Sequence, residues 1–413
     1  MHRGTQRRVF GGTSARLDRS DLLVEKARSA RLVAEMSEFA LRSNFDVIAG
    51  RVPSQSLLPM IKADAYGHGA PWAARILAFG PLRNRLYGLG AATLDEAILI
   101  RQAIGLKGRK VRVFVFSGAS PWEEWKGALC EEYDLTPMIS TDLDWKSFLS
   151  QGWQKRLSYE IKFNTGMNRL GLEFSSLERV RSQLKKMLPE ERPGGIFSHL
   201  AIAENPTDKL TQEQVSKFKK IRESLSTVAP QAHFHLGNSS AIWNAQRLGL
   251  EGLGDVVRPG LALYGIAPWK GAPDFGLIPV MCWKSRVIAI RTLTHGDRLG
   301  YGGAWRVDQA TTLGGSEIRV AILGVGYADG LPRSLSPRGQ VVLRGCSVEF
   351  LGRISMDLAA VRAPAGATVG DWAEWIGPNI DIWKQAEAAG TLPYELLTSL
   401  STRALRDYDH AAK

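Results

Sequence analysis

The sequence predicts an α/β protein: a (β/α)8 TIM-like barrel over residues 20–270, followed by an all-β domain over residues 271–413. Three observations carry that prediction. Eight strand-like apolar runs alternate with helical patterns up to about residue 264. Gly265, Pro268, Gly271, Pro273, Gly276 and Pro279 then accumulate, as they do at a boundary. Beyond them, runs rich in valine and isoleucine (281–293, 319–325, 340–344 and 348–351) follow one another across glycine-bearing turns without long helical patterns. The 413 residues accommodate a barrel of about 250 residues with an appended domain.

In chain order, residues 1–19 are polar and basic and are expected to join the second domain. From Asp21 to about Val47, apolar residues at Leu22, Ala27, Ala30, Val33, Met36 and Ala40 have helical spacing. The first strand, residues 56–61, ends at Lys62, and Pro71 opens the helix that follows. A second strand lies near 86–90; Thr93, with Glu96 three residues on, then forms a capping box. Further strands are read at 111–116, 135–139, 157–163, 195–200, 233–236 and 255–258, with helices at 141–149, 177–188 and 212–228 between them.

Composition excludes several classes. No apolar stretch approaches the roughly 20 residues of a membrane helix. Cys130, Cys282 and Cys346 lie far apart, fit no metal spacing and are too few for a disulfide framework, so a reducing cytoplasm is expected. The formal charge of +12 would suit a nucleic-acid binder, but the charges are dispersed. The basic N-terminal segment lacks the apolar centre of a secretory signal.

In a barrel of this kind, chemistry is carried on loops at the carboxyl ends of the strands. Lys62 ends the first strand, residues 164–169 follow the fifth, and His199 ends the sixth. Asn238 and Ser239 follow the seventh, and Arg258 and Gly260 end the eighth. A lysine at such a mouth is partly desolvated, and the neutral amine becomes available as nucleophile or base. The loops after the last two strands are where this fold commonly holds a phosphate.

The run Lys62-Ala63-Asp64-Ala65-Tyr66-Gly67-His68-Gly69 resembles the pyridoxal phosphate lysine segment of the alanine racemase family. The resemblance extends to Lys162-Phe163-Asn164-Thr165-Gly166-Met167-Asn168-Arg169-Leu170-Gly171, Ser198-His199, Asn238-Ser239 and Val257-Arg258-Pro259-Gly260. In the second domain it covers Gly300-Tyr301-Gly302-Gly303, Gly326-Tyr327-Ala328-Asp329 and Arg353-Ile354-Ser355-Met356-Asp357. It implies that Lys62 and Tyr301 are the two catalytic bases. Tyr66, His199, Asn238, Ser239, Arg258, Gly260 and Leu261 would join Lys62 in binding the cofactor. Arg169, Tyr327, Met356 and Asp357 would bind substrate, and Lys162 would be carbamylated and hold Arg169. It further implies a homodimer in which Tyr301 and the Met356-Asp357 loop enter the partner's site, and a role in supplying D-alanine for peptidoglycan. Three departures stand out: Asn164 replaces an aspartate, Ser355 a cysteine, and Thr402 a tyrosine that contacts the phosphate in some members.

Arg258 separates reaction classes. An acidic partner at the pyridine nitrogen would keep it protonated and spread negative charge through the ring. Arginine can only donate, so charge stays nearer Cα, where reprotonation inverts the centre. This disfavours the alternative of a barrel-type amino-acid decarboxylase. Racemisation of serine or lysine is the nearer alternative, because a slightly larger side chain alters pocket binding by only about 1–3 kcal/mol. A non-catalytic cofactor-binding barrel would need neither the β domain nor Tyr301.

Overall fold

The computed structural model describes residues 29–81, 83–308 and 315–408. Residues 1–19, expected to join the second domain, lie outside the described residues, as does the start of the helix expected from Asp21. The helical expectation holds from Glu38 onward but fails over Leu32–Met36, which is a strand, β1. Its apolar spacing suits either structure, and tertiary pairing decides. β1 runs antiparallel to residues 281–285 and parallel to the C-terminal strand Leu405–Asp407. These residues, assigned from sequence to the barrel, therefore lie in the sheet of the second domain.

The barrel follows the helix Glu38–Arg51, whose N-cap Ser37 accepts from the Ala40 N–H. Its strands are β2 Ser56–Leu57, β3 Leu89–Ala91, β4 Val113–Val115, β5 Leu135–Ile139 and β6 Glu160–Asn164. After the short β7 Leu172–Glu173, which pairs with β6, come β8 Gly195–Phe197, β9 His233–His235 and β10 Val256–Val257. Pairing is parallel from β3 through β6, β8 and β9. Closure comes from the parallel β10–β2 pair and from bridges joining Asn238 to Arg258, Leu57 to Leu86 and Met60 to Gly90. Thr93 and Glu96 form the capping box read from sequence.

Two-residue alternation sorts the strand side chains. Leu58, Tyr87, Phe114, Met138, Phe197 and Val256 pack together in one cluster, and a larger cluster joins the helices to the strands. The fourteen-residue β11, Met281–Thr294, organises the second domain. Its first half pairs with β1 and with Trp372–Ile376, and its second half with Glu317–Leu323. This domain also carries two short helices, Ile382–Ala389 and Pro393–Thr398, where the sequence suggested strands and turns alone.

Candidate active site

Lys62 stands where the first barrel strand gives way to an unusual turn. Ala63, Asp64, Ala65 and Tyr66 all have φ between +49° and +56°, a left-handed turn built without glycine. Each such L-residue costs roughly 1–2 kcal/mol, so the surroundings must hold it. They do so through hydrogen bonds. The Ala63 N–H donates to Glu96 Oε1 (2.8 Å) and the Ala70 N–H to Asp64 Oδ1 (2.7 Å). His68 Nδ1 lies 2.9 Å from the carbonyl oxygens of both Ala65 and Tyr66, so it carries the proton. Gly67 must be glycine: a Cβ there would lie 2.1 Å from the Leu397 carbonyl oxygen.

Lys62 faces a cavity of about 460 Å³ at the barrel mouth. Tyr66, Lys162, Arg169, His199, Asn238, Ser239, Arg258, Gly260 and Leu261 line it too, so ten residues singled out from sequence meet in one place. Four of them are cationic side chains, and none of the lining residues is Asp or Glu. Such a cavity is built for an anion. Burial, then Arg169, lowers the pKa of Lys62, while Glu96 opposes the shift. Burial together with Arg169, Arg258 and Lys62 brings Lys162 down to about 8.

Arg258 is fixed by a buried relay. Its guanidinium donates to the carbonyl oxygens of Ser198 (2.7 Å), His235 (3.0 Å) and Leu236 (3.2 Å). It also donates to His235 Nδ1 (2.9 Å) and His199 Nδ1 (3.2 Å). Because Nδ1 of His235 accepts, its proton sits on Nε2 and donates to Glu160 (2.7 Å). The Tyr87 hydroxyl donates to the other Glu160 oxygen (2.7 Å). Burial acts to raise the Glu160 carboxyl, but His235, Tyr87 and Arg112 outweigh it and hold it below the usual range. Burial draws Arg258 down to about 10, which leaves it charged at neutral pH. Burial and the surrounding cations keep His199 neutral.

Sequence reasoning missed Glu160, His235 and Tyr394. The first two lie two residues from Lys162 and His233 on alternating strands, and parity alone would have placed Glu160 beside Lys162. Thr402, one of the three departures, is exposed and does not line the cavity, whereas Tyr394, on the helix Pro393–Thr398, does, with its ring 6.0 Å from that of Tyr66. At Asn164, Oδ1 accepts from the N–H groups of Gly166 and Asn168 (both 3.1 Å), while Nδ2 donates to Asn168 Oδ1 (3.0 Å). The amide thus closes the turn that carries Arg169, and its donor is one an aspartate would lack.

Tyr301, Tyr327, Met356 and Asp357 are absent from this cavity. Tyr301 lines a separate cleft with Leu299, Arg353, Ser355 and Leu358. Tyr301 is 73% exposed, Met356 49% and Tyr327 44%. The backbone beneath Tyr327 and Met356 is nevertheless well bonded. The N–H groups of Tyr327 and Ala328 donate to the carbonyls of Ser355 and Met356, and Arg403 pairs with Asp357 at 2.6 Å. Ser355 Oγ donates to the Leu358 carbonyl oxygen (2.8 Å), so the serine closes this loop.

Residues 37–268 match the family described as alanine racemase, N-terminal domain, and residues 280–408 match alanine racemase, C-terminal domain. The chain belongs to the alanine racemase family. The alanine racemase of Legionella pneumophila (strain Lens) is 32% identical over 381 residues, covering 91% of this chain and 99% of the relative. The crystal structure of the biosynthetic alanine racemase from Pseudomonas aeruginosa superposes with a TM-score of 0.79 at 28% identity, over 92% of this chain and 100% of the other. That of the Bartonella henselae enzyme, with covalently bound pyridoxal phosphate, gives 0.78 at 26% identity, over 92% and 99%. As an alanine racemase this chain is an isomerase acting on L- and D-alanine. Among the described residues, no helix is long and apolar enough to cross a membrane.

The alanine racemase cavity suits pyridoxal phosphate on its own chemistry. Its volume falls within the roughly 300–1,000 Å³ of small-molecule sites. A primary amine, a buried guanidinium and a set of neutral hydroxyl donors (Tyr66, Ser239, Ser240 and Tyr394) line one space. Gly260 keeps room for that set, since a Cβ there would lie 2.6 Å from the Tyr66 hydroxyl. Ser239 Oγ accepts from the Gly260 N–H at 2.9 Å, tying the last two strand-end loops together.

Proposed function

We propose that this chain interconverts L- and D-alanine by a two-base mechanism, with Lys62 and Tyr301 on opposite faces of Cα and Tyr301 supplied by a second copy of the chain. Pyridoxal phosphate, held by Lys62, Tyr66, Ser239, Gly260, Leu261 and Tyr394, supplies the electron withdrawal that acidifies Cα–H. Asn238 accepts from the Ala241 N–H and so holds the Ser239 loop in shape. Arg258, kept charged and oriented by His199, His235 and Glu160, donates to the cofactor ring and offers it no proton acceptor. Arg169 binds the substrate carboxylate. Lys62, its amine made less basic by burial, takes or returns the proton on one face; the Tyr301 hydroxyl does so on the other.

The single observation that carries this reading is the meeting of a desolvated Lys62 with a buried, fully donating Arg258 in one cationic cavity. Lys162 joins it: with a pKa of about 8 its amine reacts readily with carbon dioxide, releasing a proton and leaving a carbamate anion that pairs with Arg169. Tyr327, Met356 and Asp357 complete the substrate mouth from the second copy. A cytoplasmic site of action, and use of the product in peptidoglycan, belong to the same proposal.

Chiral analysis of alanine after incubation with L-alanine in deuterated water tests it. The expected product is D-alanine carrying deuterium at Cα, lost in Lys62→Ala and strongly reduced in Tyr301→Phe. Carbon dioxide release, or inversion of serine or lysine in preference to alanine, would contradict it.

A further inference from the structure

The left-handed turn after Lys62 is gripped from two sides. From the barrel, Glu96 accepts the Ala63 N–H. From the second domain comes the C-terminal strand Leu405–Asp407, laid parallel on β1 with Arg406 opposite Ala34. Arg406 reaches across the domain boundary and donates to Asp64 Oδ2, while Asp64 Oδ1 holds the Ala70 N–H on the far side of the turn. One carboxylate thus ties the strained residues both to the following helix and to the other domain. Next to this contact, Tyr408 stacks on Trp72 with ring centroids 5.4 Å apart. Its hydroxyl fills the space over Gly69, where a Cβ would lie 2.3 Å away.

We propose that Asp64 and Arg406 are positioning residues that set the Lys62 turn, making the placement of the lysine amine depend on docking of the C-terminal strand. This rests on the reading of Lys62 as the cofactor lysine. Four consecutive L-residues do not keep positive φ unless their neighbours impose it, and the grip at Asp64 lies two residues from Lys62. The side chains of Arg406 and Asp64 are 28% and 42% exposed. An ion pair that open adds little to global stability. Its loss is therefore expected to show in Lys62 and not in the fold, which separates a positioning role from a merely structural one.

The test uses the full chain stripped of cofactor and then given pyridoxal phosphate. Attachment bonds the Lys62 nitrogen to the aldehyde carbon, and the aldehyde oxygen leaves as water. Its rate is read from visible absorbance, and its site by borohydride trapping and peptide mass. Arg406→Ala is expected to slow attachment by about tenfold or more, the scale on which a small misplacement acts. Racemisation should lose kcat, with KM for alanine nearly unchanged. Arg406→Lys should recover most of the rate, and Asp64→Asn combined with Arg406→Ala should be no slower than Arg406→Ala alone. Should Arg406→Ala fail to fold by circular dichroism, Asp64→Asn decides alone, since it removes the charge at constant size and keeps an acceptor for Ala70. Attachment at the parental rate in these variants, or losses that multiply in the double variant, overturns the proposal. If the unaltered chain attaches no cofactor at Lys62, the reading of Lys62 fails first and this inference with it.

Discussion

The barrel mouth and the loops of the second domain present their site residues in opposite ways. In the mouth, Arg258 is buried and His199 half-buried, Lys62 and Lys162 are desolvated, and Arg258 is held by three carbonyls and two imidazoles. On the second domain, Tyr301, Tyr327 and Met356 face outward, yet the Tyr327 and Met356 loops are cross-bonded by backbone contacts and by Arg31 and Arg403 on Asp329 and Asp357. Exposed side chains on loops held in one shape are what the proposed contact with a second copy requires. The mouth, in turn, is lined by cations and hydroxyl donors with no Asp or Glu among them, and Tyr301 is not among its lining residues. Each region lacks what the other holds.

Breaking the mouth should cost most. Lys62→Ala is expected to abolish racemisation and covalent cofactor attachment together, as judged by chiral chromatography and absorbance. Tyr301→Phe, which removes one acid–base group of the pair, should lower kcat by about 10²–10⁴ while leaving attachment at Lys62 intact. That contrast separates the two regions in one experiment. Glu160→Gln leaves His235 and Arg258 facing a neutral group inside the barrel. Weakening the hydrogen bonds that His235 and Tyr87 donate to a buried carboxylate should reduce stability by about 1.5–3 kcal/mol, read by urea denaturation.

Smaller effects sharpen the picture. Lys162 binds its proton more weakly folded, at a pKa of about 8, than in the unfolded chain, at the ordinary lysine value of 10.5. Between those values the unfolded state holds more protons, so stability of the carbamate-free protein should rise as pH goes from about 8 to 10.5. Lys162→Met should flatten that slope. Asn164→Asp removes an amide donor from the Arg169 turn and should cost about 0.5–1.5 kcal/mol in the same denaturation assay.

Much of this was legible before the fold was known, because barrel strands end where their chemistry begins. The strand runs ending near Lys62, Asn164, His199, Asn238 and Arg258 lead directly into the cavity, and Thr93 and Glu96 announced their helix. What stayed hidden depends on tertiary partners. Leu32–Met36 has a spacing that suits helix or strand, and only its place between β11 and the C-terminal strand makes it β. Tyr394 reaches the cavity because its short helix docks on the Lys62 turn, a contact between residues distant in sequence. The positive φ of residues 63–66 has no local signature, since alanine and tyrosine ordinarily avoid that region; hydrogen bonds accepted by the Glu96 and Asp64 carboxylates hold it.

Complementation between two impaired chains tests the division of the site most directly. Lys62→Ala chains, inactive alone, and Tyr301→Phe chains, strongly impaired alone, are mixed under conditions that exchange subunits, and racemisation is measured. If Tyr301 serves the partner's mouth, each mixed pair contains one site with both bases intact, and about a quarter of all sites recover in a statistical mixture. If each chain completes its own site, every site in the mixture lacks one base, and activity stays at the level of the two separate variants.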